Sequence, residues 1–252
     1  MRIIFSLLLI SMVLLSCKRP DRNSQNTNGN SVTQREYRGA NTEVIQNSTS
    51  SEKPKQTSQN SIKSSSREDK SVSELFKVLN PAVFRVYGVL GEDEYSSGSG
   101  FFIGEGIGVT NYHVLADSQE AYIQIGEDFY EITNVLSKSY PGNLDYVIFE
   151  TDYKNNSSLP ISNRNPQVGE DIFAIGSPKG LSNSLTKGTI SGFRENKRIQ
   201  IDATIDHGSS GGPLFNMKGE VIGITTSGMG TGSELNFAVD IQALPFEKYI
   251  RY

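Results

Sequence analysis

Ten short runs rich in Val, Ile, Phe, Tyr and Thr, set apart by Gly, Asn and Pro, constrain this chain more than any other feature. They are AVFRVYGVL (82–90), SGFFIG (99–104), AYIQIG (121–126), YEITNVL (130–136), DYVIFET (145–151), DIFAIGS (171–177), LTKGTISGF (185–193), RIQIDAT (198–204), EVIGITTSG (220–228) and LNFAVDI (235–241). Each has the length of a strand, and β-branched and aromatic side chains suit a pleated, half-buried surface. Neither an alternating strand–helix pattern nor a repeat at solenoid spacing is present. Such a chain is all-β, a sandwich or one or two barrels. Helix is minor, expected only near Tyr112–Leu115 and in a C-terminal segment around Phe246–Tyr252.

The strand pattern begins near Val72, and what precedes it is different in kind. Residues 1–16 carry Arg2 and then an apolar run from Ile3 to Leu15, too short to span a membrane comfortably. This reads as a secretory signal peptide. Leu14-Leu15-Ser16-Cys17 resembles the lipobox of bacterial lipoproteins, which implies cleavage before Cys17 and lipidation of its thiol; an ordinary signal peptide with a chance Cys is the alternative. Several acyl chains anchor a protein stably, at about 0.8 kcal/mol per buried CH₂. Cys17 is the only cysteine, so acylation leaves no thiol for disulfides, metals or nucleophilic catalysis. Residues 17–71 form a polar tether in which Val32, Val44, Ile45 and Ile62 are the only large aliphatic side chains, too few to offset the entropy of ordering it. Residues 18–70 hold ten Lys/Arg against six Asp/Glu, whereas residues 71–252 hold 13 against 22. The basic tether can lie along an anionic headgroup surface or simply be solvated. The acidic domain argues against nucleic acid as a partner. The expected place of the protein is the bacterial cell envelope, lipid-anchored outside the cytoplasm.

The clearest chemical signal is GSSGGPLF, Gly208 to Phe215. Glycines around a serine let backbone N–H groups approach a substrate carbonyl without side-chain interference. Gly208-Ser209-Ser210-Gly211-Gly212 also fits the G-x-S-x-G elbow of α/β-hydrolases, but there the histidine follows the serine. Here both histidines, His113 and His207, precede it. A serine hydroxyl needs an adjacent base. His207 lies three residues from Ser210 in the same loop, a poor geometry for that task. His113, in VTNYHVL, is the better base. Its orienting acid is Asp145, at the head of the apolar run YVIF, where a carboxylate is costly to bury unless paired. The order His, Asp, Ser is that of the chymotrypsin-type triad.

On these residues the chain resembles the trypsin-like proteases of the HtrA/Deg family. The matching blocks are GSGFFIGEGIGVTNYHVL around His113, LDYVIFE around Asp145, AIGSPKGLSNSLTKGTISG, IDATIDHGSSGGPLFNMKGEVIGI around Ser210, and LNFAVDI. The resemblance implies two six-stranded antiparallel β-barrels, with a short C-terminal helix, in a domain over 72–252. The first barrel would span about 72–157 and the second about 158–240. It implies a catalytic triad of His113, Asp145 and Ser210 in the cleft between them. The backbone N–H groups of Gly208 and Ser210 would form the oxyanion hole. Polypeptides are the implied substrates, an extended segment pairing near Thr225–Gly228, with Thr225, Thr226 and Ser227 in contact and Thr204, His207 and Thr226 at the specificity pocket. Family members are often trimers, so a homo-oligomer is a further expectation.

Three departures qualify the resemblance. Ser209 stands where HtrA proteins carry Asn and digestive relatives carry Asp, so activation by pairing with a new N-terminus is not expected. The chain stops soon after LNFAVDI, without room for the family's PDZ domain. Thr204, six residues before Ser210, is not acidic, which argues against a preference for Lys or Arg. No His, Asp or Glu cluster has metal-ligand spacing, and no cofactor or metal is expected. The glycines of 98–108 read as turn residues, since no Gly-Lys-Ser/Thr follows. A serine endopeptidase is the leading function, in envelope protein quality control or on external proteins. The alternative is a protease-like peptide-binding module, a chaperone or adhesin, with little turnover. An esterase on the same triad is a third reading, because acyl transfer does not distinguish amide from ester.

Overall fold

Two barrels of six strands each follow one short helix. The computed structural model describes residues 70–140, 142–154, 157–177, 183–226 and 235–250. The signal segment, Cys17, the tether up to Asp69 and Ser227 lie outside the described residues.

Helix α1 (Val72–Leu79) is an element that the strand pattern does not announce. Ser71 starts it with a capping box: its hydroxyl accepts from the Glu74 N–H, and the Glu74 carboxylate accepts from the Ser71 N–H at 2.8 Å. Leu75 and Leu79, four residues apart on one face, are buried. They pack over Gly219, where an added Cβ would lie 3.0 Å from Leu75 and 3.2 Å from Leu79. A 3₁₀ turn (Asn80–Ala82) ends the helix at Pro81 and hands the chain to the first strand.

The first barrel holds β1 (Val83–Val89), β2 (Tyr95–Gly104), β3 (Ile107–Thr110), β4 (Glu120–Ile125), β5 (Asp128–Ser139) and β6 (Tyr146–Thr151). They close in the order β1-β2-β3-β6-β5-β4. The second holds β7 (Asp171–Gly176), β8 (Ser184–Arg194), β9 (Arg198–Ile201), β10 (Pro213–Asn216), β11 (Val221–Thr226) and β12 (Asn236–Asp240), closed as β7-β8-β9-β12-β11-β10. The order is the same in both, and all pairs are antiparallel. Closure leaves neither barrel with an unpaired edge strand. The expected all-β, two-barrel architecture is therefore present. At the C-terminus the chain makes two 3₁₀ turns, Ile241–Ala243 and Phe246–Lys248, with Pro245 between them. Proline has no N–H to continue a helix, which keeps this segment in short turns.

Between the barrels, one apolar cluster joins Phe101, Ile103, Val109 and Ile148 of the first to Phe173, Ile175, Phe215 and Ile224 of the second. The Phe173 and Phe215 rings stack at 4.9 Å. Main-chain bonds also cross: the Leu159 N–H donates to Phe102 O at 2.9 Å, and the Ser99 N–H to Ser210 O at 2.7 Å. The barrels are thus docked through a shared core, and that docking sets the site's geometry.

Candidate active site

His113 sits on a single helical turn, α2 (Tyr112–Leu115), directly after β3. Asp145 immediately precedes β6. Since β3 and β6 pair antiparallel with Thr110 opposite Val147, continuing that register carries Asp145 to the level of Tyr112 and so beside His113. One carboxylate engages the histidine twice. Asp145 Oδ1 accepts from the His113 backbone N–H at 3.0 Å, and Oδ2 lies 2.6 Å from the ring Nδ1. The Asp145 side chain is 14 % exposed and that of His113 40 %. An ionised carboxylate only accepts, so the ring proton sits on Nδ1 and the Nε2 lone pair is left for another proton. Behind them, Asn111 is fully buried and its Nδ2 donates to Asp145 O at 2.8 Å, which fixes the acid's main chain.

Ser210 lies within a tight loop of the second barrel that leads into β10. Its neighbours set the loop by hydrogen bonds: Ser209 N–H to Asp206 O at 2.9 Å, Gly212 N–H to Ser209 O at 3.1 Å and Gly211 N–H to Thr225 O at 2.8 Å. Gly208 and Gly211 have φ of +94° and +89°, a region that side chains rarely enter. At Gly211 there is also no room. An added Cβ would fall 2.2 Å from Ser99 O and 2.3 Å from Thr110 Oγ1. The Ser210 loop therefore rests directly on the residues that lead into His113. Gly98 closes the same gap, since a Cβ there would meet Val114 at 2.7 Å and Ser210 O at 2.8 Å. Ser210 itself is 4 % exposed.

The expected specificity residues divide. Thr204 lines a small pocket with Ile175, Ser184, Asp206, Ser209 and Thr225. Ser209, the neighbour of Ser210, is part of its wall. His207 is exposed and outside that lining. Thr226 is buried in β11, paired with Phe237. Thr225 is a correction to the expected substrate contacts. It is 1 % exposed, its hydroxyl donates to Ser209 O at 2.8 Å and Gly212 O at 3.0 Å, and its N–H and C=O are bonded to Gly212 O and Gly211 N–H. With its main-chain groups already paired, it holds the serine loop from below and has no edge to offer a peptide. Ser227 lies outside the described residues.

Ser99, Thr110 and Asn111 are buried polar residues of the site that the motif reading passes over. Ser99 had a legible signal: in β2 it shares the period-two face of Phe101 and Ile103, where an apolar residue is the rule. Among the described residues, no group of three or more His, Cys, Asp or Glu is placed to hold a metal.

Two closed antiparallel barrels, with a His–Asp pair in one and a glycine-bedded serine loop of the other packed against it, define the class of trypsin-fold proteins. The comparisons agree, for residues 98–224, half of the sequence, match the family described as "Trypsin-like peptidase domain", and the chain belongs to that family. A Pseudomonas putida protein named "Probable periplasmic serine endoprotease DegP-like" is 39 % identical over 160 residues, covering 58 % of this chain and 33 % of that protein. The mouse serine protease HTRA4 is 35 % identical over 156 residues, covering 57 % and 32 %. The chain thus spans about a third of the length of these relatives. The crystal structure of a serine endoprotease from Yersinia pestis superposes with a TM-score of 0.60 at 30 % identity, covering 68 % of this chain and 62 % of that one.

Proposed function

We propose that this chain is a serine endopeptidase with Ser210 as nucleophile, His113 as general base and Asp145 as the orienting acid. The observation that carries this reading is the double engagement of His113 by the Asp145 carboxylate, on the barrel face against which the Ser210 loop is packed. His113 Nε2 takes the Ser210 proton as Oγ attacks a peptide carbonyl, then delivers it to the leaving amine. Asp145 holds the tautomer and stabilises the imidazolium, and water then releases the acyl group by the same path. The N–H groups of Gly208 and Ser210 bind the oxyanion, each such donor contributing about 10²–10³ in rate. An extended peptide pairs along β11 beyond Thr225, and Thr204, being uncharged, does not select Lys or Arg at the cleaved bond.

The setting follows from the other end of the chain and from the relatives. Cleavage before Cys17 and its lipidation place the domain outside the cytoplasm on a polar tether, in keeping with the periplasmic designation of the Pseudomonas relative. Among the described residues no helix is long and apolar enough to cross a membrane. Unfolded envelope proteins or external polypeptides are the substrates, and homo-oligomerisation through the domain is part of the same reading.

The test is hydrolysis of a permanently unfolded protein by the purified chain, followed by the appearance of new amino termini. Cleavage by the wild type that is lost in Ser210→Ala is expected. A folded wild type that binds the unfolded chain without cutting it would replace this reading with that of a peptide-binding module.

A further inference from the structure

We propose that Ser99, a first-barrel residue outside the triad, is the positioning residue of the oxyanion hole: it grips the carbonyls of both residues whose N–H groups bind the oxyanion. The proposal rests on the reading of Ser210 as nucleophile. Ser99 is wholly buried in β2. Its backbone N–H donates to Ser210 O at 2.7 Å, and its hydroxyl lies 2.7 Å from Gly208 O. The direction of the second bond follows from a third. The Ser177 N–H donates to the same hydroxyl at 2.9 Å, which occupies an oxygen lone pair and sends the hydroxyl proton to Gly208 O.

Gly208 needs such a hold. With φ at +94° and no Cβ, it has a wide choice of backbone conformation. A turn about its own bonds would swing its N–H out of the hole. Two bonds pin the peptide that follows it: Ser99 holds its C=O end, and Asp206 O receives its Ser209 N–H end at 2.9 Å. Ser99 is itself held, since its C=O accepts from the Thr110 hydroxyl at 2.7 Å. The network extends outward. The Ser177 hydroxyl donates to Asn183 Oδ1 at 2.5 Å, and Asn183 Nδ2 donates to Asn80 Oδ1 at 2.8 Å and Val83 O at 3.0 Å, at the end of α1. Preorganised donors work because they need not reorient as charge develops, so a group that fixes their orientation acts on the transition state. Gly98 and Gly100 flank Ser99 with no space for side chains, which leaves it in contact with the loop.

The experiment uses the purified full chain and compares the wild type with Ser99→Ala and Ser99→Cys. Steady-state hydrolysis of a peptide substrate is read beside the affinities of two probes. One is a peptidyl boronate, whose serine adduct places an oxygen in the oxyanion position; the other is a non-reacting product peptide. For Ser99→Ala the expected result is a kcat lower by about 10- to 100-fold, an almost unchanged KM, and boronate affinity lower by a similar factor. The product peptide should bind both proteins alike. Ser99→Cys keeps the shape with a weaker donor; it should fall between the two, and it carries the test if Ser99→Ala does not fold. Unchanged kcat in a folded Ser99 variant overturns the proposal, as does an equal loss for boronate and product peptide, which would mark a general loosening of the cleft. A wild type that neither cuts the substrate nor takes the boronate brings down the reading of Ser210, and the proposal with it.

Discussion

The first barrel is filled by rings and the second by aliphatic side chains. In the first, Phe84, Phe102 and Phe149 meet at 4.4 Å and 6.3 Å between centroids, with Tyr130 and Tyr153 packed at their edge. In the second, Ile172, Ile190, Ile199, Ile201, Leu214 and Ile222 do the same work with Ala174, Ala203 and Ala238 between them. The glycines follow suit. Cβ atoms added at Gly100 and Gly108 would strike the rings of Phe84 and Phe149 at 2.5 Å. Those added at Gly212 and Gly223 would strike the backbone oxygens of Ile175 at 2.5 Å and Val239 at 2.9 Å. One strand order therefore tolerates two solutions for its core. A few large rings leave room only where glycine withdraws its side chain, whereas smaller aliphatic groups let neighbouring backbones approach. The same division holds at the candidate site: the first barrel carries the His113–Asp145 pair, and the second Ser210 on a loop bedded in glycine.

The largest effect should come from dividing that chemistry by substitution. Ser210→Ala is expected to lower kcat on the order of 10⁶-fold and Asp145→Asn about 10⁴-fold, because an amide leaves the ring in place in the wrong tautomer. Single-turnover kinetics on a peptide ester would show the difference; equal losses would mean that the acid does more than orient the base. Next comes Gly211→Ala, where positive φ and a 2.2 Å approach to Ser99 O combine. This variant should fail to accumulate as folded protein, read by its near-ultraviolet circular dichroism. Within the two cores, Phe149→Ala should cost about 3–5 kcal/mol in urea denaturation and Ile199→Val about 0.5–1.5 kcal/mol. A reversal would show that the ring core collapses around its gap and the aliphatic one does not.

The smallest effect concerns Asp240, at the end of β12. Burial pushes its carboxyl up, outweighing the Gln242 N–H that donates to Oδ1 at 2.9 Å and the charge of Lys197. A carboxyl with a raised folded-state pKa favours the fold below its unfolded pKa, and that contribution is lost as pH rises through the folded value. Asp240→Asn keeps the acceptor and removes the charge. The variant should lose this fall in stability on going from acid to neutral pH, read in a pH series of thermal melts.

Much of this was legible in the sequence, and what was not has a common cause. Runs such as DYVIFET and EVIGITTSG read as strands because their β-branched and aromatic residues suit a sheet, and Tyr146–Thr151 and Val221–Thr226 within them are strands. Pairing of the strands into two barrels came from the resemblance, since short runs do not reveal their partners. Helix α1 is faint in the sequence because eight residues give barely two turns of periodicity beside a polar tether; its Ser71–Glu74 box is the available sign. Asp145 and His113 were found by residue type and order, and the register of β3 with β6 supplies their meeting. The roles of Thr225 and Ser99 are not legible in the sequence, for one reason. A sequence shows that a hydroxyl is present, but only the packed loop shows which backbone oxygen it faces.

Everything proposed for this site depends on His113, held by Asp145, activating Ser210. Labelling of the purified chain with a fluorophosphonate, wild type beside Ser210→Ala and His113→Ala, tests it most directly, because the probe reacts with an activated serine. One labelled serine peptide is expected in the wild type, containing Ser210, and none in either variant. Labelling that persists in Ser210→Ala, or a folded wild type that takes no label, would contradict it.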